Sequence, residues 1–451
     1  MSHIYNINSN FFNTRTIFLV MTLLVALMLI DTFLIRFYDL INKNLISVTI
    51  KKIIFSITVL VCLSLEFIVL KYVIQLVNKT RLNTRVSVKP LNNVIYLSQF
   101  SLVILISFLT FQLFYFNYYN SLLLMLIIIV VYGAASTLIG KTLVLFISWY
   151  RLNRNFIFFI YSISMAMIVF NLVLTTIILN INLSEKPEQI RQFAGGSMDI
   201  TAGKYVFLSS MFKISSILSF ASIWLTTALL MHTAKDQLIK EIRYWSVLII
   251  PLVYFLISYF AQNIFSSMLF PFLRSDPVFV SMILTSFFIL SKPVGGLIFG
   301  ILFWRISRLI SFEKILREYM IISGYGFLLL FSANQSSSLV LGPYPPFGVA
   351  TITILIVATY LILIGLYISA TFISANTELR RSIYKITAES KLLSLLGKVE
   401  AEKEIEKTVT EIMKKKNTST VSENVNFDLD KNELKNYLEK VMEEVGKKDI
   451  D

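Results

Sequence analysis

The chain has 451 residues, 56% hydrophobic and 15% charged, with mean hydropathy +0.73, whereas soluble domains carry about 25% charged residues. That much apolar surface requires lipid to cover it, which excludes an ordinary soluble domain. Two His and one Cys exclude a disulfide framework, a Cys/His zinc site and most Ser–His or Cys–His catalysis, and the net charge is +14.

A helix needs about 20 apolar residues to cross the hydrocarbon core. Windows of that size predict an all-α, polytopic transmembrane helix bundle of about ten spans with a cytoplasmic helical tail. The spans fall near 17–38, 53–77, 94–116, 121–149, 156–181, 205–233, 244–269, 277–304, 319–341 and 347–373. The first is too long for a cleaved signal peptide and lacks a small-residue cleavage site, so it is expected to remain.

Lys and Arg set the orientation. Loops 78–93, 150–155, 234–243 and 305–318 hold 13 basic residues, among them Arg81, Arg151, Lys240 and Arg317, against 7 in the alternate loops. Both termini are therefore expected in the cytoplasm. Residues 1–375 carry 26 Lys and Arg against 11 Asp and Glu, while 376–451 carry 15 against 16. The positive charge belongs to the membrane part and implies no nucleic-acid partner.

Few residues within the spans are informative. Asp31, Glu66, Lys141, Lys213 and Lys292 lie at membrane depth, where each charge costs roughly 2.5–3.5 kcal/mol on insertion scales. Lys141 and Lys213 are nearer the faces and can snorkel. Glu66 and Lys292 fall near the midplane and carry two readings, a structural ion pair or a site coupled to an ion or substrate. The segment Ala135–Thr142 matches a permissive phosphate-loop pattern, but an apolar span without a first Gly is the wrong setting for one. Its Gly133, Ser136, Thr137 and Gly140 are instead expected to pack helices closely. Cys62 reads as a small packing residue.

The eighth and ninth spans are the least regular. Lys292-Pro293-Val-Gly295-Gly296 is expected to interrupt a helix, because Pro removes a donor and paired Gly loosens the next turn. Ser332-Ala-Asn334-Gln335 then places polar groups at the outer end of the ninth span, before a stiff Gly342-Pro-Tyr-Pro-Pro-Phe-Gly348 turn. Lys292, Asn334 and Gln335, with Glu66 and Asp31, are the candidate buried polar or ligand site. No catalytic set, cofactor-binding motif or metal-ligand set is read from the sequence.

Beyond the last span the composition permits an exit helix over 376–416, running straight from the membrane to Gly397. A polar linker over 417–429 comes next, and then a short amphipathic helix over 430–451, where Asp430 with Glu433 resembles a capping box. Arg380, Arg381, Lys385 and Lys391 would meet anionic head groups. Such a tail has no domain-sized core and suits docking of a cytoplasmic protein partner; a second copy of the chain is a further candidate.

Four strings carry a resemblance: Ser323-Gly-Tyr-Gly-Phe, Ser332-Ala-Asn-Gln, Tyr344-Pro-Pro-Phe-Gly and the segment beginning Leu379-Arg-Arg. Over about 290–410 the chain resembles uncharacterised multipass membrane proteins of ammonia-oxidising archaea. The resemblance implies an archaeal cell membrane and brings no activity with it.

Two functions are consistent with these features. A receptor-like relay would bind at an outer pocket and signal through the tail. A secondary transporter or channel would use the buried charges and the broken helix. A membrane-embedded enzyme ranks third, for want of a nucleophile–base set.

Overall fold

A computed structural model describes residues 14–36, 47–79, 89–184, 189–190, 206–233, 241–260, 277–310, 313–334, 344–375 and most of 395–405. Each apolar window holds a helix. They are α1 (Thr14–Arg36), α2 (Val48–Lys79), α3 (Lys89–Tyr115), α4 (Ser121–Asn153), α5 (Phe156–Ser184), α6 (Val206–Thr233), α7 (Glu241–Phe260), α8 (Pro277–Leu309), α9 (Lys314–Ala333) and α10 (Val349–Ala375). Among the described residues, eight of these helices are long and apolar enough to cross a membrane: α1 to α6, α9 and α10. The fold is an all-α polytopic bundle. Gln335 and residues 376–394, 417–429 and 430–451 lie outside the described residues.

Amphipathicity decides which helix goes where. α10 is apolar all round, and every residue of its spanning window is buried, so it has no lipid face. It packs on α9 most extensively, then on α4, α2 and α1. α3 is the opposite case: Leu97, Phe100, Ile104, Phe108 and Phe111 recur on one side and are exposed. In water that stripe would be a liability; in a bilayer it is the lipid face.

Glycine sets the spacing of the α8–α9–α10 layer. A Cβ at Gly300 would lie 2.8 Å from the Gly324 carbonyl oxygen, and one at Gly365 would lie 2.9 Å from that of Tyr319. At Gly326 it would meet the backbone nitrogen of Ile362 at 2.9 Å. Backbones approach this closely only where side chains are absent. Phe220 of α6 stacks on Phe255 of α7 at 3.8 Å and also contacts Phe299 of α8 and Phe331 of α9, joining four helices through one aromatic cluster.

Two sequence expectations are corrected here. Pro293 and the paired glycines do not break α8, which runs unbroken from Pro277 to Leu309. Gly295 instead leaves room for the Phe220 ring, and Gly296 for Phe331 and the Leu328 backbone. Conversely, a Cβ at Gly133 or Gly140 would touch nothing within 4 Å, so these glycines of α4 pack against no part of the described chain. Among the described residues the glycines in close contact are on α8, α9 and α10 and not on α4.

The connections gather at two ends. At one end, strand β1 (Tyr119–Asn120) pairs antiparallel with β2 (Gln189–Ile190), Tyr119 stacks on Tyr344 at 6.3 Å, and Lys52 donates to Asn117 Oδ1. The α3–α4 turn, the α5–α6 connection, the start of α2 and the approach to α10 are thus neighbours. At the other end, α4 turns into α5 at Arg154, which adopts a left-handed conformation, and Asn155 caps α5 through Ile157 N–H at 2.9 Å.

Near that second end a helical segment, 395–401, packs on the bundle. A Cβ at Gly397 would fall 2.1 Å from Ile373 Cγ2, and Glu400 Oε2 accepts from Trp149 Nε1–H at 2.7 Å. Ile373 and Gly397 are 24 positions apart, about 36 Å along a helix. Gly397 nevertheless touches Ile373, and residues 376–394, over which the exit helix is expected, lie outside the described residues. The chain divides after Ala401 into two units, and of the second only Lys403 and Ile405 are described.

Candidate functional site

The predicted site residues separate into two clusters on different helices. Asp31 and Glu66 belong to the first. Asp31, on α1, is 1% exposed and reaches the start of α10. Its carboxylate accepts from Gly348 N–H at 3.1 Å, Thr351 N–H at 3.0 Å and the Thr351 hydroxyl at 2.8 Å. The first turn of a helix has N–H groups without intrahelical partners and a positive dipole end. Asp31 therefore caps α10 from another helix. Gly348 has φ 96°, a conformation that favours glycine, and this turns its N–H toward the carboxylate.

Glu66, on α2, has no exposure. Oε2 accepts from Gln99 Nε2 of α3 at 3.0 Å, and Oε1 lies 2.8 Å from Thr353 Oγ1 of α10. Thr353 Oγ1 also lies 2.9 Å from the Ala350 carbonyl oxygen. A hydroxyl carries one hydrogen and here faces two acceptors. Both contacts are hydrogen bonds when the carboxyl itself supplies the second hydrogen, donating to Thr353, which then donates to Ala350. Gln99 Oε1 is buried without a partner. Cys62 sits between, its thiol 3.7 Å from the Ala350 carbonyl.

The second cluster contains Lys292 and Asn334. Lys292, near the middle of α8, donates to the Asn334 carbonyl at 3.0 Å and lies 5.9 Å from the centre of the Phe212 ring. Asn334 caps the end of α9, and its Nδ2 donates to Asn171 Oδ1 of α5 at 3.0 Å. Asn171 Nδ2 in turn donates to Ser215 Oγ of α6 at 2.8 Å. Four helices thus contribute to one polar chain. Ser332 Oγ and Asn334 Oδ1 are buried and have no partner.

No bond joins the two clusters among the described residues. Glu66 meets neutral groups and Lys292 a carbonyl, so of the two readings open for them the structural ion pair does not form among the described residues. Sequence reading placed Lys292 beside Asn334, and the structure brings them together. It missed Asn171, Gln99, Thr351 and Thr353, neutral side chains whose partners lie on other helices. Asn171 is the first side-chain amide within α5, and that isolation in an apolar run was the available signal.

No family model matches the chain, and no curated protein or solved structure is significantly similar to it. The two clusters therefore have to be read on their own chemistry.

Proposed function

We propose that this integral membrane protein is a receptor-like relay in which α10 links a polar site at one end of the bundle to the cytoplasmic tail at the other. The observation that carries the reading is the situation of α10. It is buried along its spanning length, gripped at its first turns by Asp31 and Glu66, and met near its last turn by Gly397 at Ile373. A helix held at both ends and enclosed between them transmits displacement rather than absorbing it. α9 ends in the Lys292–Asn334 cluster and lies close against α10 at Gly326 and Gly365, so events at that cluster reach α10 through this seam.

The output is the docked segment 395–401. Release or rotation of segment 395–401 from Trp149 would change what the residues beyond it present to a cytosolic protein. The basic-loop pattern supports cytoplasmic termini, and the resemblance over 290–410 supports an archaeal cell membrane. The test is cross-linking in cells with the full chain and with a chain lacking 376–451. A cytosolic protein captured only with the tail supports the relay; repeated captures without a tail-dependent partner overturn it.

One observation favours the second reading, a secondary transporter. Glu66 is buried among neutral partners, one of which shares a hydrogen with it, as a proton-exchanging carboxyl requires. Glu66→Gln would then abolish a proton-dependent flux in reconstituted vesicles while leaving the fold intact. Unchanged flux would remove that reading.

A further inference from the structure

Segment 395–401 is short, yet it does not merely lie on the surface of the bundle. Leu396 and Val399 are unexposed, Gly397, Glu400 and Ala401 are buried, and from Leu396 to Ala401 Lys398 alone faces outward. A helical segment lying on a surface buries one side. This one is buried nearly all round, so it fills a crevice.

The last turns of α4 and α10 and the first turn of α5 form that crevice. Trp149 is unexposed near the end of α4, and its ring packs on Phe146 at 5.3 Å and on Phe158 of α5 at 5.7 Å. Indole has one polar hydrogen, and Trp149 gives it to Glu400. On the other wall Ile373 of α10 meets Gly397, where a Cβ would lie 2.1 Å from Ile373 Cγ2 and 2.9 Å from Ile373 Cβ. A side chain at 397 would hold the two walls apart.

Two features suit this filling to release. The membrane unit ends at Ala401 and the chain then enters a separate unit, so a pull on the tail is delivered to a few docked residues rather than to a whole span. Gly397, which the close approach requires, is also the poorest helix former of the segment. Away from the crevice the segment has little helix of its own to keep.

We propose that segment 395–401 is a releasable plug, an autoinhibitory strap that closes the crevice between α4 and α10 and lets go of it while the rest of the bundle stays folded. Docked, it covers Trp149 and Ile373 and keeps Ala401 at the bundle. Released, it bares the crevice and frees the chain beyond. This names the regulation of the output that the relay reading uses, and it rests on that reading only for its consequence.

The test uses the full chain in detergent, labelled with bimane at Lys398→Cys; Cys62 is buried and stays unlabelled. Indole quenches bimane at close range, so the label is dark when docked beside Trp149 and bright when released, and Trp149→Phe supplies the unquenched reference. A small bright fraction is expected in the parent. Glu400→Leu, which removes the acceptor of the indole hydrogen, and Leu396→Asn, which puts an amide into the crevice, should each raise it several-fold while the unfolding midpoint stays within a few degrees. A disulfide between Ile373→Cys and Gly397→Cys, formed before labelling, should abolish the bright fraction, and reduction should restore it. A bright fraction that grows only as the bundle unfolds, or that neither substitution changes, makes the segment a fixed part of the fold and overturns the proposal. Tail-dependent capture of a cytosolic protein would stand in that case, so failure of the plug and failure of the relay are told apart.

Discussion

The two polar clusters look alike in the sequence and differ in what their atoms lack. At Asp31 both carboxylate oxygens are met, by two N–H groups and a hydroxyl at the start of α10. At Lys292 the described residues meet one donor, and the buried Ser332 Oγ and Asn334 Oδ1 have no partner. A charge in the membrane interior is expensive in either place. Where the fold itself compensates the charge, as at Asp31, the residue fastens helices. Hydrogen-bond satisfaction, rather than charge or depth, separates the two clusters.

The comparison breaks most visibly at Asp31. Asp31→Ala leaves the Gly348 and Thr351 N–H groups buried without an acceptor and loosens α10 from α1. Removing one side of a buried, charge-assisted network costs roughly 3–5 kcal/mol. The expected outcome is a large fall in the unfolding midpoint of the detergent-purified protein, or loss of folded material. A midpoint within a degree of the parent would mean that Asp31 is not the cap of α10.

Next in size is Gly365→Ala. The new methyl meets Ser323 Oγ at 2.1 Å and the Tyr319 carbonyl at 2.9 Å, and overpacking of this kind typically costs about 1–3 kcal/mol. Ser323→Ala made together with it removes the first clash and not the second, so partial recovery is expected in the same unfolding assay. Complete recovery would show that the backbones can part, and the rigid seam between α9 and α10 would lose its support.

Glu66→Gln should be smaller still. The amide accepts from Gln99 and donates to Thr353, reproducing the bonds of a protonated acid, so stability should change by less than about 1 kcal/mol. Glu66→Ala, which leaves Gln99 and Thr353 unmet, should cost more than that. Equal losses in the two variants would show that Glu66 sits there as a charge and not as a hydrogen donor.

Much of this architecture was legible in the sequence for one physical reason: a span must be apolar for about 20 residues, and lipid enforces that in every window from Thr14 to Ala375. The site was legible in part. Lys292 and Asn334 stood out as polar residues in apolar runs and do meet. What was not legible depends on which helices touch. Pro293 reads as a break until its helix is seen to continue, with Gly295 making room for the ring of Phe220 on a different helix. The Glu66–Lys292 pair was plausible by depth alone, but depth is one coordinate. The return of Gly397 to Ile373 had no sequence signal at all, because the residues joining two helices do not say where the second one lands.

The smallest expected effect tests the boundary of the molecule. Gly133 is exposed on α4, and a Cβ there touches nothing. Gly133→Ala should therefore cost no packing and gain some helix propensity, up to about 1 kcal/mol in favour of the folded state. Gly365→Ala makes the contrast: the same added methyl, on a helix of the same kind, with opposite sign. The measurement is the unfolding midpoint at several protein-to-detergent ratios, together with the elution volume of each sample. A neutral or raised midpoint, independent of dilution, means that lipid alone faces Gly133. A lowered midpoint that converges with the parent on dilution, along with a later elution, means that a second copy covers the Gly133–Thr137–Gly140 side of α4 in the membrane. In that case the glycines that the sequence marked for packing do pack, between chains rather than within one.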